Sequence, residues 1–479
     1  MEEIKKYIMP ESAASRCCGE SSLLSGKGLP TFGVPGVKTK TVAVTKKFSS
    51  RSAWIFNWNN GNTNNNSKNN KNRVRPVSAS PVMNNSHADK CREEIPLEDI
   101  FAAYYGCRKN KRNTRSAMVF ELNYEQNCVE LWKEVNEHRY VPQNSVTFIV
   151  TRPVIREVFA ADFRDRVIHH LLASRLNPLL EELFTENTSC CRKGKGTHYG
   201  IKKLDEAIRE CSCGYTADCW VLTLDVKSYF MSIDKCMLMD MWEEFIELRY
   251  QGNDKRTLLF LLRTVIMNDP TKGCEKRSSE SLWKKLPTDK SLFSCGDGRG
   301  LPIGDWTSQM SANFLLNGLD HWLSGEFEFT GRYMDDFHIV STQLEKMKRF
   351  VPLISEKMKY IGLTLHPKKI HLQHYSKGVK YIGAVIKPGR IYVSNRTRNN
   401  FLRTIHRFNR RAEKEEDISS LAADFQASIN SYLGLCRHFN TYGLRRRYMK
   451  VVNPRLWEAC YISGHFEKIV IKKKYRKTA

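Results

Sequence analysis

The 479-residue sequence contains no uninterrupted apolar run of about 18 residues, the length a helix needs to cross a bilayer, so no membrane partner is expected. Its start, MEEIKKYIMP, lacks the basic-then-apolar order of a secretory leader, and a cytoplasmic protein is expected. Without an export signal, the 15 cysteines are expected as reduced thiols and not as a disulfide framework. Neither CC at 190–191 nor CSC at 211–213 has the paired C-x-x-C spacing of a structural zinc site. Acidic residues are also in deficit, 51 Asp plus Glu against 77 Lys plus Arg, a formal charge of +26. That balance favours a partner bound through its phosphates, nucleic acid, over a basic surface that is merely soluble.

Along the chain, residues 57–76 (NWNNGNTNNNSKNNKNRVRP) are asparagine-rich and show no hydrophobic period. Such a stretch reads either as a solvated loop or as a surface of amides and cations, flanked by Trp54, Phe56 and Trp58, able to grip RNA. From about residue 96 the pattern turns globular. Residues 165–184 and 307–323 have helical spacing, WVLTLDV (220–226) reads as a strand ending in an acid, and YIGAVI and RIYVS around KPG read as a hairpin. After about 395 the chain becomes helical and basic.

GRYMDDFHIV (331–340) sets two carboxylates side by side between aromatic and aliphatic residues. Adjacent residues of a strand point to opposite faces, so a tight turn is the natural way to bring Asp335 and Asp336 to one point, with Asp225 folded beside them. Three anions there repel one another, and something positive should sit against them. Mg²⁺ suits a sparse carboxylate site completed by substrate phosphates. Two such ions about 4 Å apart activate a hydroxyl and stabilise a leaving pyrophosphate, which points to nucleotidyl transfer.

With these residues in hand, the chain resembles a reverse transcriptase. YMDD is similar to the catalytic signature of that family and LDVKSYF (224–230) to its companion, and the ordered likeness runs over residues 96 to about 450. The resemblance implies an α+β right-hand polymerase. Its parts would be fingers over 96–215, a ferredoxin-like (RRM-like) palm over 216–390 interrupted by a polar connector at 251–299, and a helical thumb with a basic tail over 391–479. Residues 1–95 would be an Asn-rich N-terminal extension. It further implies two Mg²⁺ ions, with Mn²⁺ as an alternative, held by Asp225, Asp335, Asp336 and the Val226 carbonyl.

By the same likeness, REVFAADFRDRVIHHLL (156–172) gives Arg156 the role of holding the incoming triphosphate, with Arg152 either a helper or a surface ion-pair residue. Phe230 falls where the family carries a bulky residue under the sugar that excludes a 2′-hydroxyl. GLPIGDWTSQ (300–309) departs from the family, with Ile303 where many relatives have glutamine and Gln309 where they have proline, so high fidelity is not expected. SCCRKGKGTHYG (189–200) would set Arg192, Lys193 and Lys195 against the template backbone. Lys369 is either the acid that protonates pyrophosphate or a surface lysine. Tyr381 and Gly383 would position the primer terminus. Expected partners are a noncoding RNA template, a DNA product and dNTPs, with homo-oligomerisation open. The likeness is to bacterial defence-associated and diversity-generating enzymes, and it implies antiphage synthesis from a dedicated noncoding RNA. A diversity-generating polymerase and a palm-like RNA-binding protein without chemistry are the alternatives.

Overall fold

The computed structural model describes residues 94–109, 114–151, 154–414 and 418–475. Arg152, the Asn-rich stretch and the rest of the chain before residue 94 lie outside them. The first lobe is built from α1 (Leu97–Arg108), α2 (Arg115–Leu122), α3 (Tyr124–Asn136), the hairpin β1 (Val146–Val150) and β2 (Arg156–Ala160), α4 (Phe163–Leu183) and α5 (Thr197–Cys211). Asp162 starts α4 by accepting a hydrogen bond from the Arg164 amide, one of the donors every helix start leaves open. The apolar spacing that marks 165–184 as helical buries Val167, Ile168, Leu171, Leu172 and Leu176 in the largest core.

The second layer is a sheet formed by β3 (Trp220–Asp225), β5 (Phe329–Tyr333), β6 (Asp336–Ser341) and β7 (His371–His374), in the spatial order β5-β6-β3-β7. All its pairings are antiparallel. Between β3 and β5 come α6 (Tyr229–Ser232), α7 (Lys235–Arg249), α8 (Lys255–Met267), the two-residue β4 (Glu275–Lys276), α9 (Glu280–Trp283), α10 (Trp306–Leu315) and α11 (Asn317–Glu326). The long α12 (Leu344–Tyr360) connects β6 to β7. Reading β3, β5, β6 and β7 as first to fourth, the order is that of a ferredoxin-like split β-α-β sheet. Its central strand β6 buries Phe337, His338, Ile339 and Val340 in succession, as expected of a strand covered on both faces.

The stretch 251–299 is not simply a polar connector. Its first part is α8, whose Leu258, Leu261, Leu262 and Ile266 recur at helical spacing and are buried in the main core. The expected helix over 307–323 forms as two, α10 and α11, meeting at Leu316.

The rest comprises β8 (Val379–Tyr381), β9 (Ala384–Lys387), β10 (Arg390–Val393), α13 (Asn395–Lys414), α14 (Ile418–Cys436), α15 (Tyr442–Lys450), α16 (Pro454–Ala459) and the hairpin β11 (Cys460–Ser463) and β12 (Lys468–Ile471). In α13 the spacing Phe401, Ile405, Phe408, Ala412 forms a buried stripe in a second core, while Arg396, Arg398, Arg403, Arg407 and Arg410 stay exposed. Among the described residues no helix is long and apolar enough to cross a membrane.

Candidate active site

The β3–β6 ladder runs from Trp220 opposite Ser341 to Asp225 opposite Asp336, so these two acids face each other where the pairing ends. The β5–β6 ladder ends at Tyr333 opposite Asp336, leaving Met334 and Asp335 as a two-residue turn. Met334 takes the positive φ of 57° that tight hairpins demand and that an unbranched side chain tolerates. Asp225 and Asp336 are thus register partners on adjacent strands, and Asp335 lies in the turn that caps one of them.

Burial, followed by the charge of Asp225, pushes the Asp335 carboxyl up to about 6, against the pull of its own amide, Lys369 and Arg156. Asp336 is pushed up to about 7, first by burial and then by Asp335 and Asp225, with Lys369 opposing. Both side chains keep partial contact with solvent, which moderates but does not remove the penalty. The positive groups anticipated from the sequence are therefore present, but they do not balance the three acids.

Lys369 contributes directly: its Nζ lies 2.7 Å from Asp225 Oδ2. Beneath the turn sits a cation that the sequence did not single out. Arg332, fully buried, donates to Asp320 at 2.6–2.9 Å, to Asn313 Oδ1 at 2.7 Å, to the Asn313 carbonyl at 3.0 Å and to the Met334 carbonyl at 2.9 Å. Thr188 Oγ1 also donates to Asp320, at 2.8 Å. An arginine three residues before the acid pair, on a strand with aromatic neighbours, was the available signal, since a buried arginine must find carboxylate and carbonyl partners nearby.

Around Val226 the ladder passes through its neighbours: the Lys227 amide donates to the Thr364 carbonyl and the His366 amide to the Asp225 carbonyl, each at 2.8 Å. Val226 and Leu365 are thus a non-hydrogen-bonded pair, which leaves the Val226 carbonyl outside this pair of bonds. Among the described residues no three His, Cys, Asp or Glu side chains are drawn together as a finished metal nest, and Lys369 holds one oxygen of Asp225. The donor set nonetheless fits a hard divalent cation, because all three acids offer oxygen and the mutual repulsion of Asp335 and Asp336 is what such a cation relieves.

An open groove of about 530 Å³ adjoins the acids, lined by Asp225, Asp336, Lys369, Lys380, Tyr381 and Gly383 among others. Tyr381 is buried, its ring edge-on to His338 at 4.8 Å and its hydroxyl 3.4 Å from the Asp336 carbonyl. Ile382 and Gly383 form the two-residue β8–β9 turn with φ of 42° and 82°, both positive as a type I′ turn requires. Arg156, the exposed first residue of β2, lies close enough for its charge to act on Asp335. Phe230 is half-buried beside Tyr229, ring centroids 5.7 Å apart. Ile303 is half-buried, and its carbonyl accepts from the Phe159 amide at 2.8 Å. Gln309 Oε1 lies 3.4 Å from Cys191 Sγ.

One expectation needs correction. Arg192 is buried, its guanidinium committed to Glu181 Oε2 at 2.9 Å and to the Thr185 and Thr188 carbonyls at 2.5 and 3.1 Å, so it braces the loop and is not available to a template. Lys193 is exposed, and Lys195 pairs with Glu186 at 2.9 Å, a surface contact weak enough to be exchanged for a phosphate.

Apposed aspartates at the end of an antiparallel sheet, beside a lysine ammonium, offer the oxygen donors and positive charge that phosphate chemistry can use. Residues 154–386, just under half of the chain, match the family model described as "Reverse transcriptase (RNA-dependent DNA polymerase)". The chain is also similar to Protein YkfC of Escherichia coli (strain K12), 23% identical over 160 residues, covering 33% of this chain and 35% of that protein. It therefore spans about a third of that relative's length. A solved structure of apo telomerase from Candida tropicalis, truncated from its C-terminal domain, aligns with 52% of this chain and 55% of its own at 11% identity and a TM-score of 0.38.

Proposed function

We propose that the protein copies RNA into DNA by two-metal nucleotidyl transfer. The observation that carries this reading is the register that sets Asp225 opposite Asp336 with Asp335 in the adjoining turn, inside the matched domain. The first lobe would serve as fingers, the β5-β6-β3-β7 sheet as palm, and the helices from α13 onward as thumb, with the arginines of α13 tracking a duplex through its phosphates. Asp225, Asp335, Asp336 and the Val226 carbonyl would hold two Mg²⁺ or Mn²⁺ ions. Bound there, such ions acidify an attacking hydroxyl and neutralise charge on the phosphates.

The chain's own residues do the positioning. Arg156 binds the triphosphate as a planar, permanently charged donor. Phe230 closes the space a 2′-hydroxyl would need. The β8–β9 hairpin, with Tyr381 and Gly383, holds the primer end over the groove. Lys369 is the ammonium nearest the acids and supplies the proton that the leaving pyrophosphate takes up. Ile303 offers no hydrogen bond to the base pair, which supports low fidelity. The likeness of the motifs to bacterial defence-associated enzymes supports a dedicated noncoding RNA as template and antiphage synthesis as the role.

The test is extension of a DNA primer on an RNA template by the purified protein, with dNTPs and Mg²⁺. Synthesis is expected, and its loss in Asp335→Asn and Asp336→Asn with RNA binding retained. RNA binding without synthesis by the unaltered protein, in Mg²⁺ and in Mn²⁺, would favour the non-catalytic alternative.

A further inference from the structure

A third apolar cluster, separate from the two main cores, lies where β2, α6 and the connector meet. Phe159 of β2, Met231 of α6 and Leu292 of the connector are buried together, and Phe230, Ile303, Cys274 and Cys295 pack against them. Two residues of the proposed nucleotide pocket, Phe230 and Ile303, therefore rest on a floor that the connector helps to build.

What grips the connector is a carboxylate. Glu157 follows Arg156 on β2, and strand alternation leaves Arg156 exposed while Glu157 and Phe159 point inward. Glu157 has no exposed surface; its Oε2 accepts from Ser291 Oγ at 2.9 Å and its Oε1 from the Leu292 amide. Holding a carboxylate out of water against a hydroxyl and an amide is costly unless both bonds are kept, so the contact fixes residues 291–292 closely.

The same segment is tied on its other side to the loop after Asp225. Ser228 Oγ donates to Asp289 at 2.8 Å, and Cys295 Sγ lies 3.4 Å from the Met231 carbonyl. Just beyond, the Lys235 amide donates to the Gly298 carbonyl at 2.9 Å and the Leu301 amide to the Phe230 carbonyl at 2.8 Å. One set of bonds reaches the strand that carries Arg156, and the other reaches the turn after Asp225 and the short helix α6 that carries Phe230.

We propose that residues 288–295, gripped by Glu157, form a shelf that sets the position of Phe230 relative to Arg156, and that Glu157 is thereby a positioning residue for choosing the sugar of the incoming nucleotide. The proposal rests on the reading of Phe230 as the sugar-facing side chain. Exclusion of a hydroxyl depends on displacements well under 1 Å, and a floor released from its anchor lets the ring yield. Ribonucleotides then enter more readily while the acids and Arg156 stay in place.

The experiment is single-nucleotide extension by the full-length protein, comparing kcat/KM for the deoxy- and ribonucleoside triphosphate of one base. Glu157→Ala and Ser291→Ala are expected to lower the deoxy-to-ribo ratio by about tenfold or more, chiefly through a lower KM for the ribonucleotide. Glu157→Gln keeps both bonds, its Oε1 taking the Leu292 amide and the Ser291 hydroxyl turning to accept from Nε2, and restores the ratio. Asp289→Ala removes the surface tie to Ser228 and keeps the question answerable if Glu157→Ala fails to fold; it lowers the ratio in the same direction. Equal losses for both sugars, or an unchanged ratio in Ser291→Ala and Asp289→Ala, would overturn the proposal. Phe230→Ala separates the two readings: if it leaves the ratio unchanged, the assignment of Phe230 itself fails, whereas a collapsed ratio there with none in the connector variants removes only the shelf.

Discussion

Two groups of acid, Asp320 on α11 and the pair Asp335 and Asp336 at the β5–β6 turn, are treated in opposite ways. Asp320 is answered in full: Arg332 meets it through two nitrogens and Thr188 through a hydroxyl, and the remaining guanidinium protons go to Asn313 and the Met334 carbonyl. Asp335 and Asp336, on and beside the turn that Arg332 braces, are left with more negative charge than Lys369 and Arg156 offset. A buried charge with a complete set of partners fixes shape, and one left short of partners is waiting for a ligand. The first group makes the second sustainable, because the turn would relax if its carbonyl lost the arginine.

Neutralising the two groups should therefore have opposite consequences. Asp335→Asn and Asp336→Asn are expected to reduce DNA synthesis by about 10³-fold or more, since removing a member of such a site costs most of its transition-state stabilisation. Thermal unfolding without metal should stay unchanged or move upward, because each substitution relieves repulsion. A variant that loses synthesis and also melts well below the parent would mean the acids are structural and the contrast is false.

Removing Arg332 should act on the fold. Arg332→Met leaves Asp320 buried without its counter-charge and is expected to cost about 3–5 kcal/mol of stability by denaturant unfolding. The double change Arg332→Met with Asp320→Leu should recover much of that loss, because neither charge is then stranded. If the double variant were no more stable than the single one, the pair would not be the brace described above.

These outcomes bear on what could be read from the chain. The positions of Asp225 at a strand end and of Asp335 and Asp336 at a turn were legible, because an acid that ends an apolar run or separates two of them has no packing role. The hairpin around Pro388 and Gly389 was legible from its turn residues, and β9 and β10 pair as expected. Arg332 and Asp320 were not, since nothing local says that an arginine flanked by aromatics will be covered, and their pairing depends on how α11 meets β5. Arg192 was misread for the same reason: a basic, glycine-rich loop has one composition whether its arginine faces solvent or folds back on Glu181. The core residues of α8 were visible at helical spacing but hidden by averaging over a polar stretch. Residues before 94 and Arg152 lie outside the described residues.

A smaller effect tests how firmly the loop before α10 is seated. Gly304 has φ of 137°, and a Cβ built there would stand 2.0 Å from the Phe159 carbonyl oxygen. Gly304→Ala must shift the backbone that carries Ile303 and is expected to cost about 1–3 kcal/mol. Its KM for dNTP should rise more than its kcat falls. An alanine variant as stable as the parent would show that the loop yields freely and cannot set the position of Ile303.

The smallest expected effect concerns a third kind of buried acid, intermediate between the other two. Glu157 is satisfied by neutral donors, and burial holds its carboxyl above the usual range, with the Leu292 amide, Ser291 and Lys276 opposing. A carboxyl raised in the folded state binds its proton more tightly there than in the unfolded chain. Its contribution to stability therefore falls as pH rises from the ordinary glutamate range through the raised value, and levels off above it. Glu157→Gln cannot titrate, so the difference in unfolding free energy between variant and parent should grow in favour of the variant over that interval and then stay constant. Urea unfolding across the interval reads this directly. Parallel curves would mean that Glu157 is as fully answered as Asp320, and the ranking of the three acids by their partners would fail at its middle member.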